Sequence, residues 1–388
     1  MVATTCLALA LLTWISMTGA RLLLTLYAIE FGAQPFTVGM LIAALQVVPL
    51  LVSLPTGRLA DRYGTRWLMM LGFAGVSVAM LLTRFEPSLA MLFVASALNG
   101  VLLGVNGVAL QSVMGVVSRP EQRARNFSNL ALTGSASNFV GPLLAGVSID
   151  HLGYGGASLV LLSVAVAGML ALLAWGARLP AGSGRRAGRA YGGGLPPWRA
   201  LWQVLMVSAL VQMCTDLFLF YVPVYGRSIA LSATDIGVIT AGFGVSTVLM
   251  RAIMPNLLRR LGEARMLAYS FYLAAAGFML IPFFSTVAPL VAVSFLIGIG
   301  AGSGQPITMM MVVARSAQGR SGEMLGLQLT ANGIARTGGP ALLGVAGSLA
   351  GLAPVFVISA VLMALGGVVS AGIVARQRAR DGTHGGGP

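Results

Sequence analysis

The chain has 388 residues, 57% of them hydrophobic and 9% charged, with 24 basic residues against 10 acidic and a net charge of +14. A soluble domain carries about 25% charge, so a soluble enzyme or binding domain is excluded. Apolar stretches of about 20 residues, each able to cross the ~30 Å hydrocarbon core as a helix, recur along the whole length. The basic residues are all arginine and are expected mainly in loops on one side of the bilayer, an orientation signal rather than a nucleic-acid footprint.

The first span is expected at 4–28 and contains Arg21. Its apolar run is longer than that of a secretory signal peptide, and it reads as a retained span. A second span, 37–57, ends in Gly57-Arg58-Leu59-Ala60-Asp61-Arg62-Tyr63-Gly64-Thr65-Arg66, and a third begins at Trp67. These residues are expected to form a tight turn at one face of the bilayer. Three arginines put that face in the cytoplasm, and Gly57 and Gly64 permit positive φ. The stretch resembles the loop between helices 2 and 3 of the major facilitator superfamily, G-x-L-A-D-R-x-G-R-R. Gly57, Leu59, Ala60, Asp61, Arg62, Gly64 and Arg66 match, and Thr65 replaces the first of the two closing basic residues.

Further spans are expected at 67–84, 88–114, 127–149 and 155–177. Residues 178–199, rich in Gly, Pro and Arg, read as a flexible cytoplasmic linker. Six more spans follow at 200–225, 233–254, 266–284, 288–311, 323–347 and 354–375, with a second basic turn at Arg259-Arg260-Leu261-Gly262. Residues 377–388 read as a disordered tail. Twelve spans place both termini in the cytoplasm. A shift of 198 lays Gly64 on Gly262, Gly141-Pro142 on Gly339-Pro340, and Gly100 and Gly104 on Gly298 and Gly302. The chain therefore reads as two parallel six-helix bundles, 1–177 and 200–376. The resemblance implies the same layout, an all-α membrane fold with substrate bound near the bilayer midplane between the halves.

An ionisable group within a span is costly and marks function by default. Arg21, Asp216, Arg251 and Arg336 qualify. Arg251 is expected to snorkel to the cytoplasmic interface. By the resemblance, Arg21 and Asp216 line the central path and Arg336 its edge, with Arg21 and Asp216 forming either a working or a static ion pair. Among the span amides, Asn99 and Asn106 share one helix face and are candidates for substrate contact, with Gln305 as a further path residue. Gly141-Pro142 and its repeat Gly339-Pro340 loosely resemble the helix-5 motif of proton antiporters; a kink and close-packing role is the alternative. The resemblance gives Gly57, Asp61, Arg62, Gly64 and Arg66 a gating role.

Two histidines, two isolated cysteines (Cys6 and Cys214) and no phosphate-binding loop leave no catalytic or metal-ligating constellation. No enzyme activity, cofactor or metal is expected. The expected function is secondary transport by alternating access in the inner (plasma) membrane, by a monomer. Two substrate readings stand. One is proton-coupled efflux of a small amphipathic compound, with Asp216 as the protonatable group. The other is proton-coupled transport of a small organic anion held by Arg21 and Arg336.

Overall fold

The computed structural model describes residues 2–117, 120–176, 198–314 and 321–384. Twelve helices account for nearly all of them: α1 (Val2–Glu30), α2 (Pro35–Tyr63), α3 (Thr65–Phe85), α4 (Leu89–Val117), α5 (120–152), α6 (154–175), α7 (Trp198–Ser228), α8 (Ala233–Leu261), α9 (Glu263–Leu280), α10 (Val287–Ala314), α11 (Ser321–Ala350) and α12 (Leu352–His384). Helices dominate because a backbone in lipid must satisfy its own hydrogen bonds. Among the described residues, nine stretches are long and apolar enough to cross a membrane, and one of them, Ser128–Trp175, holds both α5 and α6.

The turns are shorter than the sequence suggests. The signature at 57–66 is not a loop: α2 runs on to Tyr63, and Gly64 alone breaks the helix at φ +86°. Gly57 lies inside α2; the side chains of Asp61 and Arg62 fall outside the described ones, as do the surroundings of Gly57. α5 and α6 are likewise separated by Gly153 at φ +68°. The linker at 178–199 lies outside the described residues up to 197. The tail read as disordered is helical to His384, in keeping with the strong helix propensity of its Arg, Gln and Ala residues.

The internal repeat extends to the backbone. Positive φ occurs at Gly32, Gly64, Gly153, Ala230, Gly262 and Gly351. These form three pairs at the offset of 198: 32 with 230, 64 with 262, and 153 with 351. Ala230 shows the rule overriding residue type, since a left-handed conformation costs an alanine about 1–2 kcal/mol.

Two interfaces of closely packed helices join the halves, and α1 also meets α7. In one, α5 meets α8 so closely that a Cβ on Gly237 would lie 2.8 Å from the Pro142 carbonyl oxygen, and one on Gly244 2.6 Å from the Phe139 nitrogen. In the other, α2 meets α11, and a Cβ on Gly39 would lie 2.8 Å from the Pro340 oxygen. Gly39 and Gly237 are repeat mates, as are Pro142 and Pro340. Small residues let helix backbones touch in this way, which supports the close-packing role of the two Gly-Pro motifs.

At the Gly153 end both interfaces are latched. Asp150, closing α5, accepts from the Ala233 and Thr234 backbone N–H groups at 3.1 and 2.6 Å. It completes the α8 N-terminus beside a Ser232–Asp235 capping box. Its repeat mate Ser348 accepts from Phe36 N, near the start of α2, at 2.9 Å. One latch is charged and the other neutral.

Candidate functional site

The two interfaces differ: among the described residues, the α2–α11 side adjoins an ion-paired cluster, whereas the α5–α8 side carries Arg251, bound to backbone carbonyls. Asp216 sits on α7, 1% exposed, with Arg21 of α1 (5%) and Gln46 of α2 (4%) beside it. Arg336 of α11 donates from Nε to Asp216 Oδ2 at 3.0 Å, and Arg21 Nη1 lies 3.7 Å from Oδ1. The repeat mates of Asp216, Arg21, Arg336 and Gln46 are Thr18, Leu219, Asn138 and Gly244. None of these is ionisable, and Gly244 closes its side against α5 instead.

Each member is positioned by its own helix. Gln212, one turn before Asp216, donates to Oδ2 at 3.4 Å. Phe220, one turn after it, lies under the Arg21 guanidinium, 4.7 Å from carbon to ring centroid, a cation–π contact. Pro340 has no N–H for the Arg336 carbonyl four residues earlier, which opens α11 at that turn. The Tyr221 hydroxyl ties the opened turn back to α7, donating to the Pro340 oxygen at 2.5 Å. Gln46 bridges the cluster. In one amide orientation its Nε2 lies 3.4 Å from Asp216 Oδ1, and in the other its oxygen accepts from Arg336 Nε and Nη2 at 3.1 Å. The second orientation suits a guanidinium, which has no acceptor.

The charges do not balance. Two guanidinium groups face one carboxylate, so the cluster carries +1 when Asp216 is ionised. Arg21 Nε and Nη2, though buried, have no hydrogen-bond partner among the described residues. The Arg336 side chain is 26% exposed and so remains accessible. An unpaired buried donor costs about 1–3 kcal/mol, more when charged. A second carboxylate would neutralise the cluster and satisfy these N–H groups with the fork geometry that guanidinium favours.

A polar ladder continues from the ion pair toward the signature end. Ser208 donates to Asn332 Oδ1 at 2.9 Å, and Gln328 Nε2 donates to Ser208 at 2.7 Å and to Thr308 of α10 at 3.3 Å. All four are buried. Single-residue inspection misses Ser208, Gln328 and Thr308. The signal lies in the spacing: Ser208, Gln212 and Asp216 on α7, and Gln328, Asn332 and Arg336 on α11, recur every four residues, one face of each helix.

Other sequence candidates lie elsewhere. Asn106 is fully buried: its Nδ2 is 3.4 Å from Thr13 of α1, and its Oδ1 faces Gly72 of α3. Asn99, on the same face of α4, donates to Ala95 O within its own helix. Gln305 is exposed on α10, where its carbonyl accepts from Thr308. Arg251 does not snorkel; it donates to Gly302 O at 3.3 Å and to Ala131 O across the α5–α8 interface at 2.6 Å. Pro306 explains the first bond, because it leaves the Gly302 carbonyl without a helical donor. Arg66 ties α3 to the end of α6 through Leu173 O at 3.3 Å.

A family profile described as the Major Facilitator Superfamily matches residues 6–232 and 204–387. The tetracycline resistance protein, class B, of Escherichia coli is 28% identical over 108 residues, 28% of this chain and 27% of that protein. The multidrug efflux pump LfrA of Mycolicibacterium smegmatis is 31% identical over 141 residues, 35% of this chain and 26% of that one. Each of the six curated relatives compared is spanned over no more than 30% of its length. Among solved structures, a POT family transporter in complex with 5-aminolevulinic acid aligns over 96% of this chain and 95% of its own, with a TM-score of 0.81 at 12% identity.

Proposed function

The chain belongs to the major facilitator superfamily and is a multi-pass membrane transporter rather than an enzyme; we propose that it carries a small organic anion, coupled to protons, through the Arg21–Asp216–Arg336 cluster. The observation that carries this reading is the uncompensated charge together with two Arg21 nitrogens, Nε and Nη2, that lack a partner among the described residues. The bundles 1–177 and 200–376 rock about the cluster on the 178–199 linker, in the plasma membrane, with both termini cytoplasmic and a monomer as the working unit. The arginines at the signature end (Arg66, Arg259, Arg260 and Arg265) support that orientation.

Electrostatics supports one sense of coupling. Protonating Asp216 releases both guanidinium groups and takes the cluster from +1 to +2. Anion and proton therefore strengthen each other's binding, and by linkage each does so equally. They cross together, and an inward proton gradient drives the anion inward. A lipophilic cation is repelled in either protonation state.

The second reading is proton-driven efflux of an amphipathic compound, favoured by the relatives named as efflux pumps and resistance proteins. There, substrate and proton compete. Proteoliposomes loaded at pH 7.5 and diluted into pH 6 buffer separate the two. Radiolabelled aromatic or aliphatic carboxylates should accumulate, and lipophilic cations should not. Accumulation of cations under the opposite gradient, with carboxylates inert, would establish efflux instead.

A further inference from the structure

On the outer surface of the second bundle, away from Asp216, a groove of about 370 Å³ runs between α8, α9 and α10, lined by Met250, Leu257, Met266, Tyr269, Leu273 and Ile299 among others. Tyr269 is 60% exposed and the neighbouring Tyr272 41%, so the groove opens outward from the bundle. In a membrane-spanning helix layer that surface meets acyl chains.

The groove runs down toward the Gly262 break, where charge is concentrated. Arg259 and Arg260 close α8 and Arg265 lies in the first turn of α9. Glu263 is the one acid of 259–265, leaving three positive charges against one negative, +2. Arg259 is engaged with Asn256 Oδ1 at 2.6 Å. Arg265 lies one turn before Tyr269, and Arg260 three residues after Leu257, so both follow the groove-lining faces of their helices. The repeat mates of Arg265, Tyr269 and Tyr272 are Trp67, Leu71 and Ala74, so the combination belongs to the second bundle alone.

We infer that this groove holds one acyl chain of an anionic phospholipid, with its phosphate on Arg260 and Arg265. Basic pockets between membrane helices bind anionic headgroups, and here the apolar slot and the basic rim adjoin. A free phosphate would use the rim but not the slot.

The test uses the full chain in nanodiscs with Tyr269→Trp as a reporter, read against the same protein without that substitution. Phosphatidylglycerol with brominated chains should quench the reporter at a roughly tenfold lower mole fraction than brominated phosphatidylcholine. Arg260→Gln with Arg265→Gln should bring the two lipids together, and Ala276→Phe, at a residue that also lines the groove, should remove the low-mole-fraction quenching by filling the slot. Native mass spectrometry of the chain with Tyr269 intact, counting retained phosphatidylglycerol before and after the arginine substitutions, covers the case in which the reporter perturbs folding. Equal quenching by both lipids, or a preference that survives the arginine substitutions, overturns the assignment. Neither readout depends on transport.

Discussion

Removing the Asp150 carboxylate should open the end of the molecule that carries Gly153. Asp150 receives two backbone N–H groups from the other half, at 3.1 and 2.6 Å. A hydrogen bond to a charged group contributes about 1.5–3 kcal/mol, but on opening, water takes over both N–H groups and the carboxylate. We therefore expect a total near 2 kcal/mol, about thirtyfold in the closed-to-open ratio. Asp150→Asn should lose roughly half of that, because it keeps one acceptor oxygen. Ser348→Ala removes a single neutral bond and should shift the ratio about fivefold. Spin labels at Leu152 and Leu349, 60% and 83% exposed, report the separation by pulsed dipolar spectroscopy once the buried Cys6 and Cys214 are replaced. Asp150→Ala should populate a longer distance that the parent lacks. An unchanged distance distribution together with unchanged turnover would refute the latch.

Three further outcomes follow from the geometry. Gly237→Val and Gly39→Val would drive side-chain atoms into the Pro142 and Pro340 carbonyls, so each should abolish turnover and lengthen the same label distance. Gly338→Ala, where a Cβ meets nothing within 4 Å, should be neutral in both assays. Arg336→Lys keeps a charge near Asp216 but loses the planar fork, and anion affinity measured by calorimetry should fall about tenfold with expression unchanged. Asp216→Asn leaves the buried Arg21 and the partly exposed Arg336 without a counter-ion, a cost of about 3 kcal/mol visible as a lowered unfolding temperature. That protein should lose gradient-driven accumulation while retaining anion exchange.

The fold was legible because lipid imposes it. A membrane-length apolar run can only be a helix or part of a closed barrel, and the 198-residue offset read from a few Gly and Pro positions also pairs the backbone at Gly32 and Ala230. Turn lengths were not legible: charge at 57–66 suggested a loop, yet Arg, Leu and Ala all favour helix and only Gly64 departs from it. The site was half legible. Arg21, Asp216 and Arg336 stood out by the cost of burying charge. Which face of a span points at the path did not, because these helices are apolar all round, and an isolated amide looks the same against a neighbouring helix as against substrate. The sequence alone does not separate the two roles for Asn99 and Asn106, whereas the four-residue spacing on α7 and α11 carried information that single amides lacked. Arg251 was misread because the Gly302 carbonyl freed by Pro306 lies 51 residues away on another helix.

The central claim is that Asp216 surrenders its two arginines to the substrate when it takes a proton. Purified protein in weakly buffered detergent, with a pH indicator dye, tests this directly when an organic acid that binds is added as its fully ionised salt. Binding should draw protons from solution, approaching one per anion in the pH range where Asp216 is ionised in the empty protein. In Asp216→Asn the same anion should bind with no proton uptake. Proton release on binding, or proton uptake that persists in Asp216→Asn, would contradict the account.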